Sequence, residues 1–275
     1  MWGIGSWNMA LGYMNVRKPM VAGSFYPEDP GELRAVIRQH LDNARITGPV
    51  PKALVLPHAG YIYSGPVAAS GYKLLRQAIH ETYRVVLLGP SHWAEFDGIA
   101  LSSVDAFATP LGSVPLDKSV AESLSTFPSV VTLDKAHVRE HSLEVHIPFL
   151  QEVLEHFYLV PLSVGKTDME TVGNVIDALW GGPDTIIIVS TDLSHYLSWE
   201  AAREIDGATA RAVEELRGED IEDWQACGSV PLRGLLHVAR KRGLKMRSLD
   251  LRNSGDTAGS MDVVVGYGAF ALEES

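Results

Sequence analysis

The stretch "YRVVLLGPSHW", Tyr83 to Trp93, decides how the rest of the chain is read. Val85–Leu88 are four apolar residues in a row, Gly89 and Pro90 break the run, and His92 follows at once. A short unbroken apolar run bounded by turn formers is the pattern of a strand covered on both faces, as in a parallel sheet. Similar runs recur at Lys52–Pro57, Gly98–Ser102, Phe157–Val164, Thr185–Ser190, Lys245–Leu251 and Val263–Leu272.

Helical spacing fills the gaps. Leu33, Val36, Ile37 and Leu41 form an apolar stripe after Pro30 and Gly31. Further helices are expected over Pro66–Ile79, Asp117–Phe127, Phe149–Phe157, Met169–Leu179, Ser198–Leu216 and Pro231–Lys241. Asp168 and Ser198 suit N-caps, and Pro66 and Pro231 suit first-turn positions. Strand–helix alternation predicts α/β class, with a single three-layer α/β/α domain covering residues 16–275. Strands that follow one another without a helix, after Gly98 and near the C-terminus, make the sheet mixed, though largely parallel.

Composition narrows the function. The 275 residues carry 34 acidic against 23 basic side chains, a formal charge of −11. Nucleic-acid binding draws on clustered Lys and Arg, and the one basic cluster, Ala239–Lys245, sits where it complements a helix dipole. No nucleic-acid partner is expected. No apolar run approaches the roughly 18 residues of a membrane span. Cys227 is the only cysteine. With no export signal recognisable, the expected setting is reducing and cytoplasmic. Residues 1–15 are read as an N-terminal extension, with Met14 an alternative start. "NSGDTAGS", Asn253–Ser260, lacks the strand–GxGxxG–helix context, so no nucleotide cofactor is expected.

Ligands of such sheets bind beyond the carboxyl ends of the strands. Three runs end there in histidine: "ALVLPHAGY" delivers His58, "VVLLGPSHW" delivers His92, and "IIIVSTDLSH" delivers Asp192 and His195. Adjacent parallel strands would bring these imidazoles into one crevice, and imidazole is both metal ligand and general base. Asp192, three residues before His195, can orient the ring or ligate. In "VREHSLEVHIPFL", apolar alternation from Leu143 to Phe149 puts Glu144 and His146 on one edge of an extended segment, for a substrate contact or as a solvated edge. His137 and His141 read as surface residues. Cys227, just before a helix at Pro231, is either a small buried hydrophobe or a thiolate held by a metal or a helix N-terminus.

Taken together, "AGSFYP" (22–27), "PHAGYIYSG" (57–65), "GPSHW" (89–93), "EHSLEVHIPFL" (140–150), "STDLSHY" (190–196) and "CGSVPL" (227–232) resemble the Memo-like family, in family order. That family is similar in fold and pocket to class III extradiol ring-cleaving dioxygenases, which hold Fe(II) with two histidines and a glutamate. The resemblance implies His58, His92 and Cys227 as metal ligands, with the cysteine in place of the dioxygenase glutamate. It implies His195 as acid–base group, and Asp192, Glu144 and His146 are read as orienting groups around the metal ligands and His195. Iron or copper is implied ahead of zinc. The implied activity is a metal-dependent oxidoreductase, dioxygenase-like, acting on a small molecule or a peptide or protein ligand. A non-catalytic peptide- or protein-binding adaptor and a metal-dependent hydrolase are the alternatives. The resemblance also implies association with radical-SAM and AMMECR-type proteins.

Overall fold

Successive strand residues face opposite layers, so an apolar run with no polar member must be covered on both sides. The computed structural model, which describes residues 15–273, builds that arrangement. Its strands are β1 (Val16–Arg17), β2 (Ala53–Leu56), β3 (Tyr83–Pro90), β4 (Ile99–Leu101), β5 (Ala106–Thr109) and β6 (Gly112–Pro115). They continue with β7 (Val130–Thr132), β8 (Phe157–Val164), β9 (Thr185–Ser190), β10 (His195–Leu197), β11 (Lys245–Asn253) and β12 (Val264–Glu273). Helices are α1 (Pro30–Asn43), α2 (Tyr61–Leu75), α3 (Ser119–Ser123), α4 (Lys135–Val138) and α5 (Ile147–Val153). After these come α6 (Met169–Ala178), α7 (Trp199–Glu214), α8 (Ser229–Lys241) and α9 (Ser254–Thr257).

The main sheet runs in the order β10-β12-β2-β9-β3-β8-β4-β7, with β11 also paired to β12. Its centre, β2-β9-β3-β8, is parallel throughout. The flanks turn antiparallel where β12 joins β2 and where β4 joins β8. A small second sheet joins β1, β5 and β6. The expected mixed, largely parallel α/β architecture is what forms.

Strand parity sorts the core into two layers. Leu54, Leu56, Val85, Leu87, Ile186 and Ile188 pack with α1, α2 and α5. Ala53, Val55, Val86, Leu88, Ile187 and Val189 pack with α6, α7 and α8. Contact on the first side is close: a Cβ on Gly71 of α2 would come within 2.5 Å of Leu56 Cδ2. Asp168 and Ser198 cap α6 and α7 as expected, accepting from the Thr171 and Ala201 amides.

Several boundaries differ from the sequence reading. Helix α2 begins at Tyr61, so Pro66 lies inside it and not in its first turn. The Ile62 carbonyl one turn earlier consequently has no helical donor. The helix expected over Asp117–Phe127 shrinks to Ser119–Ser123, and "NSGDTAGS" folds as the short helix α9 with a capping box from Asn253. Of the expected N-terminal extension only Asn15 lies within the described residues. No helix among the described residues is long and apolar enough to cross a membrane.

Candidate metal centre

Because β2, β9 and β3 are adjacent and parallel, the residues just beyond their carboxyl ends converge. His58 lies two residues past β2 and His92 two past β3, while Asp192 follows Ser190, the last residue of β9. The His58 and His92 rings stand 5.3 Å apart. A third imidazole joins them: His141 stacks on His92 at 4.8 Å and meets His58 edge-on at 5.6 Å. Among the described residues, His58, His92 and His141 each offer a ligand atom within 4.8 Å of the others. Cys227 approaches from one side, its Sγ 3.4 Å from His58 Nε2.

Each imidazole is held from behind. The His58 amide donates to Asp192 Oδ1 at 2.8 Å, and its Nδ1 meets Ser190 Oγ at 2.7 Å. Glu140, buried at 2% exposure, clamps His92 by accepting from its amide and meeting its Nδ1 at 2.9 Å. The same carboxylate accepts from the His141 and Ser142 amides. A carboxylate behind a histidine fixes the ring and raises its basicity, the usual support of a ligating imidazole.

Burial favours the neutral form of two of the imidazoles. Burial, followed by the neighbouring His92 and His141, holds His58 well below the ordinary histidine range. Burial also lowers His141, against the opposing pull of Glu140. A neutral imidazole keeps the lone pair that a cation needs. Burial, then the Asp192 carboxylate, pushes the Cys227 thiol up to about 12, so metal-free Cys227 is a thiol and not a thiolate. Burial would raise Glu140, but hydrogen bonds and charge from His92 outweigh it and bring the carboxyl to about 2. Asp192 goes the other way, raised by burial despite the His58 amide and nearby His195.

The donor set fits a first-row transition metal: three imidazoles and one thiol with carboxylates behind them suit iron, copper or zinc better than magnesium or calcium. A cavity of about 580 Å³ opens beside Cys227, with Ser91, Phe96, Lys166 and Pro231 on its walls.

A family model described as "Memo-like protein" matches residues 17–271. The chain belongs to the Memo-like family. A MEMO1 family protein of Aquifex aeolicus (strain VF5) is 37% identical over 92% of this chain and 98% of its own length. A MEMO1 family protein of Methanosarcina barkeri (strain Fusaro / DSM 804) is 36% identical over 94% of this chain and 100% of its own. Among solved structures, an uncharacterized protein of Escherichia coli K12 aligns with a TM-score of 0.46 at 14% identity, over 78% of this chain and 98% of that one.

In this Memo-like chain the expected site residues separate into two groups. His58, His92, Cys227 and Asp192 lie together. His195 opens β10, half-buried, near enough to Asp192 and Asp206 to oppose in part the rise that burial imposes on both carboxyls. Glu144 and His146 do not share an extended edge, which corrects the alternation argument. Residues 144–146 form a single 3₁₀ turn, and the two side chains diverge. Glu144 is fully buried and accepts from Arg17, the Met20 and Val21 amides, and the Tyr26 hydroxyl. His146 lies between Ser190 Oγ (2.8 Å from Nε2) and the Tyr72 hydroxyl (2.7 Å from Nδ1). His137 and His141 are not surface residues either. His137 is 2% exposed, its Nε2 3.1 Å from the Ala100 carbonyl, and burial lowers it to about 4.

Sequence reasoning missed His141, Glu140 and Ser190. The first two sit in irregular chain after α4, where no periodicity reports which way a side chain points. Ser190 left a signal: it shares strand parity with Ile186 and Ile188, so a hydroxyl occupies a position where the core layer calls for an apolar group.

Proposed function

We propose that this Memo-like chain is a metal-dependent oxidoreductase that binds iron or copper at His58 and His92. The third donor comes from His141 or Cys227, and the ligand is a small molecule or a peptide reached through the cavity beside Cys227. The observation that carries this reading is the convergence of His58 and His92, from two adjacent strand ends, with His141 and the Cys227 sulfur from loops. A bound iron or copper would supply one-electron chemistry that no side chain here provides. The chain's own residues do the rest. Glu140 fixes the His92 ring and Ser190 the His58 ring, and burial keeps His58 unprotonated. Asp192 has Oδ1 occupied by the His58 amide, while its Oδ2 lies 4.0 Å from His58 Nε2, placed to hold a proton. His195, opening β10, supports the acid–base role that the family resemblance implies. Association with radical-SAM and AMMECR-type proteins rests on that resemblance and is tested by co-purification.

Metal analysis tests the centre directly. Anaerobically purified protein, reconstituted with Fe(II) or Cu(I), is expected to retain about one equivalent, and His58→Ala/His92→Ala a small fraction of it. Equal loading of the two proteins rejects the site. Voltammetry of the loaded protein then tests the reaction class. A bound metal that does not cycle rejects the oxidoreductase reading and leaves hydrolysis by a metal-activated water.

A second reading, ligand capture without turnover, has an observation of its own. Trp93, Tyr196 and Trp224 each lie within three residues of His92, His195 or Cys227, and all three are strongly exposed. Exposed aromatic side chains are effective contact groups. On this reading, substitution of the three aromatics weakens peptide binding while no turnover is lost.

A further inference from the structure

We propose that the Ser190 hydroxyl sets the tautomers of two histidines at once, fixing His58 with its proton on Nδ1 and His146 with its proton on Nε2. A count of protons requires it. Ser190 Oγ is completely buried and has three polar neighbours: the Ser142 carbonyl at 2.6 Å, His58 Nδ1 at 2.7 Å and His146 Nε2 at 2.8 Å. A hydroxyl carries one proton and two lone pairs, and a carbonyl can only accept. The Ser190 proton therefore points at Ser142, because a 2.6 Å oxygen–oxygen contact with no proton between them would set lone pairs face to face. Both lone pairs of Ser190 Oγ then need donors, and the two imidazoles are the groups that face them.

Once each ring has spent its one N–H on Ser190, the other nitrogen must accept. His146 Nδ1 does so from the Tyr72 hydroxyl, 2.7 Å away. His58 Nε2 is left with its lone pair turned toward Cys227 Sγ and the imidazole cluster. One oxygen thus enforces opposite tautomers on two buried rings, and the Ser142 carbonyl decides the direction. Ser190 is a positioning residue. Its functional consequence rests on the proposed metal reading: Nε2 of His58 is presented ready to ligate, with no tautomer exchange needed first.

The test reads protons before metal. Long-range ¹H–¹⁵N correlation on metal-free, ¹⁵N-labelled wild-type protein is expected to show His58 protonated at Nδ1 and His146 at Nε2. Ser190→Ala should move His58 toward a tautomer mixture and weaken cobalt(II) binding about 10–100-fold, the usual effect of losing a partner behind a ligating histidine. Ser190→Thr, which keeps the hydroxyl, should restore the wild-type pattern. A wild-type His58 protonated at Nε2 overturns the proposal, as does Ser190→Ala that keeps wild-type tautomers. Wild-type protein with the opposed tautomers that binds no cobalt supports the lock and rejects the metal reading instead. The wild-type spectrum alone decides the tautomers should the alanine variant fail to fold.

Discussion

Glu144 offers the sharpest test of the packing beneath the site. It is fully enclosed, and its two oxygens accept from Arg17 Nη1 at 2.6 Å, the Met20 and Val21 amides at 2.9 and 3.0 Å, and Tyr26 Oη at 2.7 Å. Among the described residues Arg17, itself 5% exposed at the side chain, has only carbonyl acceptors besides Glu144: those of Lys18, His137 and Glu140. Glu144→Ala leaves the guanidinium buried without its counter-charge. Removing one partner of such a pair costs about 3–5 kcal/mol. The amides of Met20 and Val21 are only part-buried, so water can satisfy them and the loss should not exceed that range. At roughly 2–4 °C per kcal/mol for a domain approaching this size, the midpoint of thermal unfolding should fall by roughly 6–20 °C. Glu144→Gln keeps an oxygen for Met20, Val21 and Tyr26 but turns an amide NH₂ on Arg17, so it should recover less than half of the loss. Urea titration gives the free energy, and hydrogen exchange gives its location. Residues 17–26 should lose protection while the α6–α8 layer keeps it. A loss below about 1 kcal/mol, within the spread of ordinary surface substitutions, or exchange that rises evenly across the protein, would refute the reasoning.

The other predictions concern the cluster itself. Glu140 has a folded pKa of about 2, below its unfolded value, so it contributes stability that is complete above about pH 5 and lost as pH falls toward 2. Urea melts at pH 6 and pH 3 should differ by less in Glu140→Gln than in wild type, and an equal difference removes the clamp from the account. With its thiol near 12, metal-free Cys227 should alkylate at pH 8 at least about a hundredfold more slowly than a free cysteine, since the thiolate is the nucleophile. A rate like that of glutathione contradicts this. On Gly228 a Cβ would run into the Ser190 carbonyl oxygen and lie 2.7 Å from Thr191 Cβ. Gly228→Ala should therefore displace the Cys227 turn, costing about 1–3 kcal/mol and metal affinity together, and unaltered cobalt binding would argue against it. His141→Ala and Cys227→Ala, compared by cobalt absorption spectra, identify the third donor: loss of the sulfur charge-transfer band in the latter alone assigns it to Cys227.

Strand-end logic was enough to find His58 and His92, because a buried parallel strand announces itself in β-branched composition and its exit point is where polar residues become visible. It failed where structure is set by partners far along the chain. Strands β5 and β6 hold "AFAT" and "GSVP", too short and too poor in apolar bulk to read as strands, and they form because β1 and each other supply the ladder. The extended reading of Glu144 and His146 failed because Leu143, Val145, Ile147 and Phe149 are all buried around a 3₁₀ turn, where alternate residues need not share a face. The helix start at Tyr61 was hidden by Pro66, which is tolerated because it costs one backbone bond in a helix that Val67, Ala69 and Tyr72 anchor to the core. The resemblance implied a His/His/Cys ligand set, whereas the geometry groups His141 with His58 and His92 and puts Cys227 beside them.

Strand β2 has a consequence for synthesis. All four of its residues are buried, and its neighbours in the sheet are β9 and β12, both encoded more than a hundred residues later. At ~5–20 residues per second, both edges of this apolar strand stay unpaired in the nascent chain for several seconds at least, and the β12 edge for roughly 10–40 s. One face is covered early, since α2 follows directly and packs through Gly71 onto Leu54 and Leu56. The unpaired edges are the hazard, because an apolar strand without its neighbours is a template for pairing with another chain until β9 and β12 emerge.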